Sequence, residues 1–359
     1  MTAAAEPEPA TAAGALLLRE IAEQPTALLR LLEHAGEYQT VADTAAERGV
    51  RLVRMVGHGS SDNAASYGVY AFGLLPGWTA MRDSISLSVY YGAHTDLDGS
   101  LVVALSQSGQ TPDVVDYVAR ARRNGAFTVA ITNDTESALA EAAEAVLPLA
   151  AGPELAVAAT KTYTTQVAAL ALLAACAAGR GEELARGIRT TAAELETLVP
   201  RLERELTAIA PAFAFVGRMF VIGRGPEYAT AREISLKLME TCRIAAEPLT
   251  ATDMVHGPVA ALDALFPVWT IAAPDESLPA VREAAARARA AGAAIVASGA
   301  AAREIEGASY RIEVPESPMT LLSPILSVVP GQIFAWALAQ AKGLDPDRPT
   351  GLSKITLTP

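Results

Sequence analysis

From Leu52 onward, short apolar runs alternate with stretches whose apolar residues recur at helical spacing, the signature of parallel-sheet α/β structure. Residues 51–56 read as a strand that ends at Gly57-His-Gly-Ser-Ser-Asp62, with a helix from about Asn63 to Leu75. Residues 101–105 form a second strand, running into Ser106-Gln-Ser-Gly-Gln-Thr111. The helix after it, Pro112 to about Asn124, opens on proline, as first helical turns favour. Residues 127–131 and 145–149 supply two more strands. The grammar returns downstream, where residues 219–222 meet Gly223-Arg-Gly225 and a helix, and residues 267–272 and 294–297 read as strands.

Two landmarks recur at nearly one offset: 166 residues from Gly57 to Gly223, and 167 from Gly125 to Gly292. The expected fold is therefore α/β, with two doubly wound, flavodoxin-like parallel sheets related by internal duplication and joined by the helical stretch 160–206. The expected division is a mobile tail (1–14), a first copy with an N-terminal helical segment (15–180), a helical connection (181–210), a second copy (211–344) and a C-terminal tail (345–359). The copies differ. Ser106 shifted by 166 lands on Ala272, beside Ala273-Pro-Asp-Glu-Ser277, which lacks the Ser-x-Ser-Gly character and carries carboxylates instead. One copy is expected to hold an anion and the other to hold acid–base groups, with one site shared between them.

The acid–base candidates lie in the second copy. Glu233, Lys237 and Glu240 stand at i, i+4 and i+7, so a helix after Gly225 projects all three from one stripe and leaves Ile234, Leu238 and Met239 to the core. His256-Gly-Pro258 follows closely. The alternative is a solvated Glu/Lys helix face. In the first copy, Gly59-Ser60-Ser61 and Ser106-Gln107-Ser108-Gly109-Gln110-Thr111 both sit between a strand and a helix, where helix amides and hydroxyls hold a phosphate without positive charge. The alternative there is plain N-capping by Ser61, Asp62 and Thr111. Neither loop has the Gly/Lys pattern of a nucleoside triphosphate site, and Gly223-Arg-Gly225 lacks the third glycine of a dinucleotide fingerprint, so a monophosphate fits best.

Composition narrows the partners. A net charge of −12 opposes nonspecific attraction to nucleic acid or anionic membrane. The apolar stretch from Val167 to Ala178 is short for a membrane span and reads as a buried helix, and no secretion signal is apparent, so a cytoplasmic protein is expected. Cys176 and Cys242 fit no disulfide or metal-ligand spacing, and neither metal nor organic cofactor is expected.

The chain resembles tandem sugar isomerase (SIS) domain proteins, especially the isomerase half of glucosamine-6-phosphate synthase and the related aminosugar-phosphate deaminases. The likeness runs from Leu18 to Thr358. It rests on Arg19-Glu-Ile-Ala-Glu-Gln-Pro25, the two serine loops, Gly152-Pro-Glu-Leu-Ala-Val157 with Thr160-Lys161, the Glu233 helix, His256-Gly-Pro258 and Leu352-Ser-Lys354. The resemblance implies phosphate contacts from Ser60, Ser61, Ser106, Gln107, Ser108 and Thr111, with Gly59, Val157, Ala159 and Ser353 as further contacts. It implies that Glu240 moves a proton between C1 and C2 of an open-chain sugar and that Glu233 and Lys237 orient it. His256, supplied by a second subunit of a homodimer, opens the ring, and Lys354 engages the open-chain ketose, as it could by attack on the carbonyl if neutralised by burial or by a cation such as Lys237. Read from the residues alone, Lys354 is a mobile surface lysine near the chain end and His256 a turn histidine before Pro258.

The synthases open with a glutaminase nucleophile, whereas Thr2 follows Met1 here, and Ala159 stands where they carry a hydroxyl. The implied reaction is conversion of glucosamine 6-phosphate to fructose 6-phosphate and ammonia. N-acetylglucosamine-6-phosphate dehydration, fructosamine-phosphate deglycation and non-catalytic sugar-phosphate sensing are the alternatives.

Overall fold

A computed structural model describes residues 12–354. Three helices, α1 (Ala15–Ala22), α2 (Gln24–Glu33) and α3 (Ala35–Glu47), precede the first sheet. That sheet is built from β1 (Leu52–Val56), α4 (Ser60–Leu74), β2 (Thr79–Arg82), α5 (Ile85–Val89), β3 (Ser100–Ser106), α6 (Pro112–Arg123), β4 (Phe127–Thr132), α7 (Ala138–Ala142) and β5 (Ala145–Pro148). Two long helices, α8 (Lys161–Ala177) and α9 (Gly181–Ile209), lead to the second sheet. Its elements are β6 (Arg218–Gly223), α10 (Glu227–Cys242), β7 (Ala245–Thr250), α11 (Ala251–Val255), β8 (Val268–Ile271), α12 (Leu278–Ala290), β9 (Ile295–Gly299) and β10 (Tyr310–Glu313), followed by α13 (Ser323–Ser327) and α14 (Val329–Ala341).

All strand pairs are parallel, and the sheet orders are β2-β1-β3-β4-β5 and β10-β9-β8-β6-β7. Counted within its own copy, each sheet reads 2-1-3-4-5, so the repeat seen as two glycine offsets is a repeat of topology. In this order β1 and β3 are neighbours whose following connections diverge, and the crevice at their carboxyl ends is where such folds bind ligands. Strands β3 and β4 are buried along their whole length, which explains their unbroken apolar runs. Strands β2, β7 and β10, three of the four edge strands, escape the sequence pattern, whereas the fourth, β5, is read from its apolar run. β2 is largely exposed, and β7 contains Pro248, which donates no ladder hydrogen bond.

Four expectations need correcting. Helix α4 begins at Ser60 rather than near Asn63, because Gly59 at φ 56° lets the three-residue connection 57–59 turn straight into the helix. Met239 does not face the core; it is 45% exposed, while Ile234 and Leu238 are buried. Of the proposed tail 1–14, residues 1–11 lie outside the described part, but Gly14 is tied down: its N–H donates to Asp347 and its carbonyl accepts from Trp336. Finally, the longest apolar helical run is Thr320–Ala341 rather than 167–178. It is long and apolar enough to cross a membrane, yet its apolar window is completely buried within the protein and proline punctuates it at 324 and 330.

Candidate active site

The two serine loops follow β1 and β3 and lie at the N-termini of α4 and α6, side by side at one end of the first sheet. Neither helix uses a side chain as its N-cap, so Ser61, Asp62 and Thr111 are not the plain caps of the alternative reading. Asp62 is paired with Arg82 and with Arg232 at 2.8 Å. Ser106 Oγ accepts from the Gly109 amide at 2.9 Å, which curls the second loop. Gly109 sits at φ 63°, and a Cβ there would lie 2.0 Å from Ser137 Oγ, so this turn requires glycine.

A cavity of about 360 Å³ opens beneath these loops. Its wall includes Gly59, Ser60, Ser61, Ser106, Gln107, Ser108 and Thr111 from the loops, Val157 and Ala159 from the segment before α8, Glu240 from α10, and Ser353 and Lys354 from the tail. Residues from both copies and from the chain end therefore share one space. Helix α10 of the second copy packs on α4 of the first, which is how Glu240 reaches the serine loops.

Glu233 and Lys237 do not line the cavity; they form its buried support. Ser60 Oγ donates to Glu233 Oε1 at 2.8 Å, and Asn63 donates to Glu233 Oε2 at 2.8 Å. Lys237 Nζ lies 3.3 Å from Glu233 and 2.6 Å from Glu240. The stripe is thus not a solvated face: Glu233 and Lys237 are buried to within 1%. Burial pulls the Lys237 ammonium down, but Glu233 and Glu240 outweigh it and hold it well above its ordinary value. Burial raises the Glu233 carboxyl above the usual range despite Lys237, and Glu240 adds to the rise. Two carboxylates thus share one ammonium, and the outer one, Glu240, is the partner that also lines the cavity. Ser60, with its single proton given to Glu233, is an acceptor toward anything else.

Lys354 is not a mobile surface lysine. Its Nζ donates to Glu154 Oε2 at 3.0 Å and to the Ala156 carbonyl at 2.7 Å. The tail that carries it is pinned at Asp347, whose carboxylate accepts from the Leu16 and Leu17 amides at 3.1 and 2.8 Å. The neighbour of Lys354 is a carboxylate and not the Lys237 ammonium, which is committed to Glu233 and Glu240; the repulsion expected to favour a neutral amine does not come from Lys237.

Glu154 is the chief site residue that the sequence reading passed over. Fully buried, it accepts from the Thr160 and Thr162 amides at 3.0 and 3.1 Å and from Thr162 Oγ1 at 2.6 Å, and so caps the start of α8. Burial pushes its carboxyl up, yet Lys354 and these donors win and hold it below the usual carboxylate range. Its signal was an acid in an otherwise apolar segment seven residues before a helix start. The Arg19–Pro25 motif explains itself here: Glu20 accepts from Leu155 and Ala156 amides and Glu23 pairs with Lys161, fixing the segment that holds Glu154. A depressed carboxyl contributes stability that is present above its unfolded value near 4.5 and lost as pH falls through the folded one. Acid titration of unfolding is accordingly steeper for the parent chain than for Glu154→Gln below about pH 4.5; equal slopes would count against this assignment.

His58 also lines the cavity, with Nε2 2.8 Å from Asp113 Oδ2. His256 does not: it is exposed at the end of α11, outside the cavity of its own chain. Asp253 accepts from Thr250 Oγ1 at the start of that helix. In the second copy the position 166 residues after Ser61 is Glu227, a buried carboxyl that accepts from Thr230 and Ser323 at 2.7 and 2.6 Å. The equivalent helix thus starts on a buried carboxyl group of the protein's own, where the first copy has a serine.

Fold and site together define a doubled α/β protein whose one cavity sets two hydroxyl-rich helix N-termini of one copy against a helix of the other that carries a buried carboxylate–lysine cluster. The chain belongs to the SIS domain family, whose model matches residues 51–176 and 213–341. It is 34% identical to the isomerizing glutamine–fructose-6-phosphate aminotransferase of Mycolicibacterium smegmatis over 94% of this chain and 56% of the relative. The chain thus spans just over half the length of the curated relatives it matches. Among solved structures, the C-terminal domain of glucosamine-fructose-6-phosphate aminotransferase from Francisella tularensis is 25% identical with a TM-score of 0.82, covering 96% of this chain and 100% of that one. Glucosamine-6-phosphate deaminase from Thermotoga maritima, 21% identical with a TM-score of 0.72 over 96% of this chain and 100% of that one, shares the fold.

Proposed function

We propose that the chain is an aminosugar-6-phosphate deaminase/isomerase that converts glucosamine 6-phosphate to fructose 6-phosphate and ammonia. The observation that carries this reading is the single cavity that unites two hydroxyl-rich helix N-termini with Glu240 and Lys354. The phosphate rests on Ser61, Ser106, Gln107, Ser108 and Thr111, where oriented amides and hydroxyl dipoles replace positive charge. Glu240, 20% exposed and backed by Lys237, takes the proton from C2 of the open-chain amino aldehyde and returns it at C1, which leaves an imine at C2. Water then adds to the C2 imine and ammonia leaves. Lys354 lies at the open-chain carbonyl end, presented by Glu154, and His256 reaches the sugar ring from a second copy in a homodimer.

One observation favours a second reading. Val157 and Ala159 give the cavity an apolar wall that suits an acetyl methyl, and proton removal at C2 followed by loss of the C3 hydroxyl would make the protein an N-acetylglucosamine-6-phosphate dehydratase. Incubation with both sugar phosphates and mass analysis of products decides between them. Fructose 6-phosphate and ammonia from the free amine are expected; an unsaturated N-acetyl sugar without ammonia selects the dehydratase, and neither product defeats both.

A further inference from the structure

Gln166 enters the cavity from α8, a helix otherwise packed with apolar and small side chains, where a primary amide is costly unless its ends are used. Its Nε2 donates to Ser61 Oγ at 2.9 Å. Its Oε1 has no hydrogen-bond partner among the described residues, although Gln166 is only 1% exposed. A buried carbonyl without a donor, in the wall of a ligand cavity, is an acceptor waiting for one.

We propose that Gln166 is a positioning and binding residue for the phosphorylated sugar, a role that rests on the sugar-phosphate reading of this cavity. A hydroxyl has one proton and two lone pairs. Because Ser61 accepts from Gln166, its proton is left for another partner, and no described protein group takes it. Gln166 thereby sets Ser61 as a donor to the phosphate. Ser60, one residue earlier, is set the opposite way by giving its proton to Glu233. The Gln166 carbonyl completes its own bonding by accepting a hydroxyl or ammonium hydrogen from the sugar. The ligand class is thus a phosphate monoester whose carbon chain carries a hydrogen-bond donor, and a bare phosphate leaves Oε1 unsatisfied.

The test is calorimetric titration of the full chain with fructose 6-phosphate, comparing the parent with Gln166→Leu, Gln166→Glu, Ser61→Ala and the Gln166→Leu/Ser61→Ala pair. Leucine is close to glutamine in volume, so an unchanged melting temperature reports an intact fold. Gln166→Leu is expected to weaken binding by about tenfold to a hundredfold. Gln166→Glu is expected to weaken it further, because a carboxylate captures the Ser61 proton and sets negative charge beside the phosphate. The pair loses less than the two single losses multiplied, since part of the Gln166 effect passes through Ser61. In turnover, KM rises while kcat stays within about threefold. A parent that does not bind fructose 6-phosphate sinks the sugar-phosphate reading itself. If the parent binds and Gln166→Leu binds equally well, or the pair is strictly multiplicative, this proposal fails and that reading stands. Should Gln166→Leu not fold, Ser61→Ala alone decides, and an unchanged affinity overturns the proposal.

Discussion

Glu240→Gln lowers the rate at which solvent deuterium enters C1 of fructose 6-phosphate by about 10²- to 10⁴-fold, the range typical of removing a positioned general base. The same variant keeps its affinity for the sugar phosphate within a few-fold, because the phosphate loops belong to the other copy and do not depend on Glu240. Glutamine preserves the shape of the wall and can still contact Lys237, which lies 2.6 Å from the carboxylate. Deuterium incorporation followed by proton NMR checks the prediction. Exchange at the parental rate would move the base elsewhere, and Glu233 is no ready substitute: it is fully buried, holds Ser60 and Asn63, and does not line the cavity.

Lys237→Met is expected to destabilise the fold by about 3–5 kcal/mol, the cost of leaving a buried charge without its partner. The stranded groups are Glu233, which is fully buried, and Glu240, which is mostly so. Adding Glu233→Gln to Lys237→Met restores much of the loss, since the amide keeps the Ser60 and Asn63 contacts without a charge. Denaturant unfolding of the two variants measures both effects; a single variant as stable as the parent would refute the buried-triad account. The pH dependence follows from the sign of the shift. A lysine raised above its unfolded value of 10.5 contributes stability that is fully present below that value and is lost only as pH rises through the higher folded one. The Lys237 contribution is therefore flat across neutral pH and fails only in strong alkali.

Much of this was legible from residue order because it depends on short-range spacing. Strands β1, β3, β4 and β6 announce themselves as apolar runs, since both faces of a central parallel strand are covered. The near-constant offset of 166 residues, read from Gly57 and Gly223, announced a duplication, and the two sheets do share one strand order. The Glu233, Lys237 and Glu240 stripe follows from helical periodicity alone. The edge strand β2 was not legible, because it is defined by the backbone hydrogen bonds of its neighbour and carries no apolar signature of its own, unlike the edge strand β5.

Periodicity says which residues share a helix face, but not what that face meets. A Glu/Lys stripe is the same string of letters whether water or another helix covers it, and only the packing of α10 on α4 turns it into a buried support for the site. The pairing of Glu154 with Lys354, the occupation of the second copy's helix start by Glu227, and the exclusion of His256 from its own chain's cavity are of the same kind. Residue order determined the elements, their repetition and the chemistry on offer. Tertiary structure decided which of those groups meet, because groups as far as 333 residues apart are brought together by packing that no local spacing encodes.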